Sequence, residues 1–383
     1  MLRFMTAGES HGPELTVILE GVPAGLPIDA VRDLDPDLRR RQLGHGRGKR
    51  QQIENDSARI TAGVRGGLTL GSPVALTVVN RDWDNWKGPM QVEAEGFSKK
   101  PVTRVRPGHA DLAGILKYDL DDARDVLERA SARETAARVA AGGVAKALVR
   151  VAGISISSHV VRIGDVVAAA TAVDQRAVEQ SPVRCADAAA GERMVAAIDA
   201  ARAAGDTLGG TAVVTAHHVV AGLGSYVQWD RRLDGRIAQA MCSIPSVKGV
   251  ELGDAVTAAA TPGSGVHDRP AFTDGRGFHH LSNRQGGLSG GVSNGEDLWA
   301  RVHFKPISTL LTPLRSVDVR TGEETNAHYE RSDICVVPAG AVVAEAMLAL
   351  VIADALLEKF GGDSISELCR NLEGYRATLD RLR

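Results

Sequence analysis

The chain has 383 residues, 44% of them hydrophobic, which is enough for one large or two ordinary domains with a sizeable core. Its 45 basic and 47 acidic residues leave a net charge of −2, which excludes a whole-protein field able to attract nucleic acid or an anionic membrane; any anion affinity must be local. An aromatic content of 4% weighs against base stacking, and Cys185, Cys242, Cys335 and Cys369 stand too far apart for metal or redox motifs, so reduced thiols and no metal are expected.

The opening MLRFMTAGESHG lacks the basic start and apolar run of a secretory signal, so a cytoplasmic protein is expected. Leu2 to Thr6 and Glu14 to Gly21 read as strands joined by a loop that puts Ser10 and His11 at its tip. A helix is expected from Asp29 to Arg41, capped by Asp29 and interrupted by Pro36, before the basic loop RRRQLGHGRGKR. Pro73 to Asn80 reads as a short strand, and the aperiodic stretch after it, with Trp83 and Trp86, as a long surface loop. Ser131 through Arg150 reads as a strong helix opened by a capping box of Ser131 and Glu134, its Gly142 and Gly143 marking close packing on a neighbour. Ile154 to Val161, Thr211 to Val219 and Trp299 to Phe304 read as further strands. Ala339 to Phe360 is helical, apolar nearly all round and stopped by Gly361 and Gly362; its Glu345, Asp354, Glu358 and Lys359 make it a core helix rather than a membrane span. With no repeat, low-complexity tail or clear linker, one α+β domain over residues 1–383 is expected.

Arginine is the densest chemical signal, with Arg39, Arg40, Arg41, Arg47 and Arg50 in one loop, Arg104 and Arg106 in another, and Arg129 and Arg133 at a helix start. A guanidinium fork gives phosphate or carboxylate two charge-assisted hydrogen bonds, so these sites could converge on one polyanion; a plainer reading leaves roughly half as solvated surface charge. Arg129 and Arg133, where a helix dipole repels cations, call for a bound phosphate or an ion pair with Glu128 or Glu134. His11 in GESHG and His109 in RPGHAD sit among small residues, as suits loops that approach a ligand and exchange protons, although surface histidines look the same. Gly286 to Gly295 and Lys305 to Thr309 have the composition of a phosphate cradle without the spacing of a nucleotide fingerprint, so a plain glycine loop reads equally well. Arg331 and Asp333, two apart, would share one face of a strand, as a functional pair or a mutual salt bridge.

In this order, GESHG, RRR…GRG, RPGHAD, RASARETAARVAAG, GGLSGGVSNG, KPIST and RSD resemble the chorismate synthase family from the first residues to EKFGGDS. The resemblance implies a carbon–oxygen lyase of the shikimate pathway that eliminates phosphate from 5-enolpyruvylshikimate 3-phosphate in an anti 1,4 sense, giving chorismate, with reduced FMN required and no net redox change. It implies that Arg40, Arg47, Arg50, Arg106 and Arg133 bind substrate or NADP, that His11 protonates the departing phosphate, that His109 stabilises the reduced flavin, and that Ser10 with Asp333 relays a proton. Flavin contacts carried over fall on Arg129, Ala130, Ser131, Pro245, Ser246, Gly290, Lys305, Pro306, Ile307, Ser308, Thr309 and Arg331. The sequence departs from the family pattern at Pro245 and Ser246, where relatives carry an amide residue then alanine, and by one extra residue before Arg47. The implied fold is a sandwich of antiparallel sheets with helices between and around them, assembled as a homotetramer, with NADPH or an external flavin reductase supplying electrons. Two rival readings are an RNA-binding protein using the Arg39 to Arg50 loop, disfavoured by the near-neutral charge and few aromatics, and a flavin-binding protein without the elimination.

Overall fold

Alternating burial along Glu14–Glu20 turns Leu15, Val17 and Leu19, each with no exposed surface, to one face, while Ile18 points outward. In the computed structural model, which describes residues 1–48, 53–169, 172–330 and 332–380, this strand lies between Arg3–Ala7 and Val74–Val79 in a four-stranded antiparallel sheet that ends at Ala58–Ala62. A second antiparallel sheet has the order Val247–Leu252, Leu298–Phe304, Gly210–His217, Ser155–Ile163, Val166–Val167. Leu298, Ala300, Val302 and Phe304 are buried on its inner face. Each fully buried Leu or Val on these faces contributes about 1.5–3 kcal/mol.

Two helices fill the space between the sheets. Thr135–Val151 packs on the first sheet and against Val337–Phe360, which packs on the second. The contact is close because the residues are small: a Cβ on Gly142 would stand 2.2 Å from that of Ala346. One continuous hydrophobic cluster runs through both sheets and both helices. The longest apolar stretch of Val337–Phe360 is 89% buried within this sandwich, as a core helix requires. The architecture is therefore the expected α+β sandwich of antiparallel sheets with helices between them.

Several local expectations change. Asp29 does cap, accepting from Arg32 N at 2.9 Å, but it opens a π-turn at Ala30–Leu34; Pro36 then sits in the first turn of Asp35–Gln42, where its missing N–H is harmless. Ser131 caps a 3-10 turn at Ala132–Glu134 rather than an α-helix, and Glu134 hydrogen-bonds Thr6 and Arg138 instead of completing a capping box. Arg129 is in the last turn of the preceding helix, Ala123–Arg129, where the dipole favours a cation, so the expected repulsion there does not arise. Trp86 is not on a surface loop: it is 8% exposed, between the short helical turns Arg81–Asn85 and Lys87–Met90. Ser332 and Asp333 lie outside any strand.

Candidate active site

The N-terminal ends of the two inner helices open onto one cleft of about 670 Å³, lined by Thr135 from the first and by Ala339, Gly340 and Val343 from the second. Such a volume is typical of cofactor and ligand pockets, and two helix N-termini present partial positive charge to whatever enters. Seven Arg and Lys side chains against three carboxylates line it, which makes it locally basic in a nearly neutral chain.

His11 and His109 stand in the cleft wall, each on a carboxylate. His11 is 6% exposed, its Nδ1 2.9 Å from both Glu128 oxygens, its backbone N–H donating to Glu128 Oε2 at 2.9 Å and its ring stacked on Trp86 at 4.0 Å. Ser10 is buried beside it; its N–H donates to the Glu128 carbonyl at 2.9 Å and its hydroxyl accepts from Ser131 at 3.1 Å. His109 Nδ1 lies 2.5 Å from Asp111 Oδ1 and 3.1 Å from Arg106 Nη2. Burial opposes the Asp111 charge, but hydrogen bonds from His109 and Arg106 outweigh it and hold the carboxyl well below the usual carboxylate range. Across the cleft Glu330 is pulled down to about 2 against the burial that opposes its charge, by His328 first and then Arg124 and His11.

The cations are anchored from behind. Arg41 and Arg133 share Asp56, at 2.8 and 2.6 Å, and Arg133 Nε also donates to Asn80 at 2.8 Å. Burial and the neighbouring Arg133 and Arg47 together outweigh Asp56 and lower Arg41 to about 10. Arg47 donates to Asp333 at 2.6 Å, whose other oxygen accepts from Gly48 N at 2.6 Å. Arg106 reaches Thr309 at 3.1 Å, and Lys305 Nζ donates to the Gly108 carbonyl and Ser308 Oγ at 3.0 Å each. The Nε–H groups of Arg41 and Arg47 are buried with no acceptor among the described residues. Donors of that kind suit a ligand bearing phosphate or carboxylate.

Of the residues singled out in the sequence, the cleft brings together Ser10, His11, Arg47, Arg106, His109, Ala130, Ser131, Arg133, Pro245, Ser246, Lys305, Ile307, Ser308, Thr309 and Asp333. Arg50 and Arg331 lie outside the described residues. Arg40, Arg129, Gly290 and Pro306 do not line the cleft. Arg40 turns to Glu345, Glu179 and Asp37, and Arg129 to the Thr6 and Gly8 carbonyls and, at 3.9 Å, to Glu134, the ion pair the sequence offered for it. Gly290 and Gly291, with φ of 61° and 86°, form the tight turn of a hairpin pairing Leu288–Ser289 with Val292–Ser293, so that glycine run serves a backbone turn in this chain. Arg133 finds its anions in Asp56 and Glu54, not in Glu128 or Glu134. Sequence reasoning missed Trp86, Arg124, Glu128 and Glu330; the only signal was a tryptophan in a stretch without period.

A family model described as chorismate synthase matches residues 2–357. The chain is 56% identical over 386 residues to the chorismate synthase of Moorella thermoacetica, covering 100% of both chains, and 52% identical to that of Geobacter sulfurreducens, covering 98% of both. It superposes on a crystal structure of chorismate synthase with a TM-score of 0.80 at 41% identity, covering 99% of this chain and 98% of the other. A basic cleft at the ends of two core helices, whole-length similarity to these relatives and the shared fold together mean that this chain belongs to the chorismate synthase family.

Proposed function

We propose that the cleft eliminates phosphate from 5-enolpyruvylshikimate 3-phosphate to give chorismate, with reduced FMN bound beside the substrate. Family membership makes the chain a lyase of the shikimate pathway; substrate and cofactor are inferred. The observation that carries the reading is the cluster of Arg41, Arg47, Arg106 and Arg133, with two Nε–H donors that find no acceptor among the described residues, beside two carboxylate-held histidines. Reduced FMN, when bound, supplies electron density to a substrate whose lost hydrogen is only weakly acidic.

The donor set fits both ligands. Lys305, Ser308 and Thr309 put one ammonium and two hydroxyls on one wall, suited to a ribityl phosphate or ring carbonyls. The guanidinium forks suit the phosphate and two carboxylates of the substrate, stabilising charge as it develops on the departing group. His11 would deliver a proton to that phosphate. His109, fixed by Asp111, would hold a proton against the cofactor. Asp333 has both oxygens engaged by Arg47 and Gly48, so accepting a proton from a relay through Ser10 requires one of those bonds to open.

The decisive test is anaerobic phosphate release from 5-enolpyruvylshikimate 3-phosphate, with chemically reduced FMN and, in parallel, with oxidised FMN alone. Release only with the reduced cofactor is expected. Folded protein that binds FMN yet releases no phosphate in either sample would overturn the reading in favour of a flavin-binding relative with other chemistry.

A further inference from the structure

The two cleft histidines are held by carboxylates in ways that differ at one atom. His109 Nδ1 donates to Asp111 at 2.5 Å, but a second donor, Arg106 Nη2, also stands 3.1 Å from it. His11 Nδ1 faces the two Glu128 oxygens at 2.9 Å each, both acceptors. Only Nδ1–H satisfies that contact, which fixes the tautomer. With Nδ1–H held, neutral His11 presents a lone pair at Nε2 and can give up a proton there only as the imidazolium.

The surroundings are built for that ion. Glu128 is 2% exposed and accepts from the His11 ring, from the His11 backbone N–H at 2.9 Å and from Arg124 Nη1 at 3.0 Å. Trp86 covers the ring face at 4.0 Å and 24°. Arg124 and Lys100 both stand over the Trp86 ring, 5.0 and 4.1 Å from its centroid, and Arg124 shares Glu128 Oε1 with His11. Glu330, bonded to Arg124 at 3.3 Å and next to His328, faces the same group from the far wall. Without the Glu128 carboxylate, the imidazolium would lose its nearest negative partner among the described residues while Arg124 stayed beside it.

We infer that Glu128 is a positioning residue for proton delivery: it locks His11 in the Nδ1–H form and balances the imidazolium, so that proton transfer takes place at Nε2. This rests on the proposed elimination. In the step, the Nε2–H bond breaks, its electron pair stays on the ring, the proton joins a phosphate oxygen, and Nδ1–H remains on Glu128. The imidazolium is restored from solvent or the relay before the next turnover, so no oxidant or reductant is consumed.

The test is Glu128→Gln, close in shape to the wild type, read in two ways. Nitrogen-15 NMR of histidine-labelled protein, with His11 assigned by its loss in His11→Asn, should show a predominantly Nδ1–H tautomer in the wild type and a mixed or reversed population in Glu128→Gln. This readout needs no turnover and stands even if the substrate proves to be another. In kinetics, kcat should fall about 10- to 100-fold with KM little changed, and the descending high-pH limb should move to lower pH. In a His11→Asn background the same change should cost nothing further. An unchanged tautomer on substitution would overturn the inference. So would a kcat loss that is uniform across pH and equally large without His11, because Glu128 would then serve only to fold the loop.

Discussion

Replacing Arg40 by methionine separates a ligand-binding role, implied by the family pattern, from the structural role its contacts describe. Its guanidinium donates to Asp37 at 2.6 Å, to both Glu345 oxygens at 2.8 Å, and to Glu179 at 2.8 and 3.0 Å. Glu345 has no exposed surface and is further held by Lys146 at 2.6 Å, Ser158 at 2.6 Å and Arg184 at 3.4 Å. Burial works against the charge of Arg40, but the carboxylates outweigh it and raise its pKa above the ordinary arginine value. Breaking a buried ion pair by removing one partner costs about 3–5 kcal/mol; Lys146 and Arg184 stay on Glu345, so a loss near the lower limit, about 3 kcal/mol, is expected. Urea unfolding should show this as a lower midpoint at unchanged slope, while KM of the folded variant for the proposed substrate stays at the wild-type value. Wild-type stability with a raised KM would refute the reasoning and return Arg40 to the ligand.

Acid should unfold the protein through the same network: Glu345 and Glu179, the latter pulled down to about 2, are held below their unfolded values, mainly by arginine and lysine against the cost of burial. Their contribution is full above about pH 4.3 and is lost as pH falls toward the folded values, so urea midpoints measured from about pH 5 to 2 should decline, less steeply in Arg40→Met. Gly142→Ala, which at an exposed helix position would stabilise by about 1 kcal/mol, should destabilise here because the new Cβ would fall 2.2 Å from that of Ala346; overpacking of this kind costs about 1–3 kcal/mol, and unfolding of the variant above the wild-type midpoint would contradict it. Arg47→Met should weaken FMN or substrate binding roughly 10- to 100-fold, from loss of a charged hydrogen bond worth about 1.5–3 kcal/mol, and unchanged titrations would remove Arg47 from the ligand contacts.

What the sequence made legible is what depends on neighbours along the chain. Leu15, Val17 and Leu19 alternate because one face of their strand is buried, and that alternation is visible without a structure. Gly142 and Gly143 mark a close helix contact because nothing else explains two glycines inside an alanine-rich helix. The failures lie where a distant residue decides. Glu134 looks like half of a capping box, yet Thr6, 128 positions away, takes its carboxylate. Arg133 is neutralised by Asp56, 77 positions away, and also donates to Asn80, 53 away, so its proximity to Glu134 in sequence misleads. Trp86 sits in a stretch without period, and only the fold brings His11 against it. Gly290 shares its composition with phosphate loops, and the fold adds a backbone reason for it that the sequence did not show, a hairpin turn with φ of 61°.

The cleft can gather its cations without a bound ligand because each principal arginine has a carboxylate behind it: Asp56 for Arg41 and Arg133, Asp111 for Arg106, Asp333 for Arg47 and Glu128 for Arg124. A guanidinium has five N–H donors, and the one spent on that carboxylate, or two in Arg106, helps fix the direction of the others. The side-chain entropy of orienting the fork, about 0.5–1.5 kcal/mol for each long side chain, is therefore met on folding rather than on binding. The same arrangement explains how a chain of net charge −2 holds seven basic side chains in one cleft: the balancing acids lie mostly behind the lining, where they steady the arginines without facing an incoming anion. Of the four acids just named, Asp333 lines the cleft itself, as do Glu54 and Glu330, the further partners of Arg133 and Arg124. Arg47 is accordingly the arginine whose hold depends most directly on the charge state of a group that a ligand can reach.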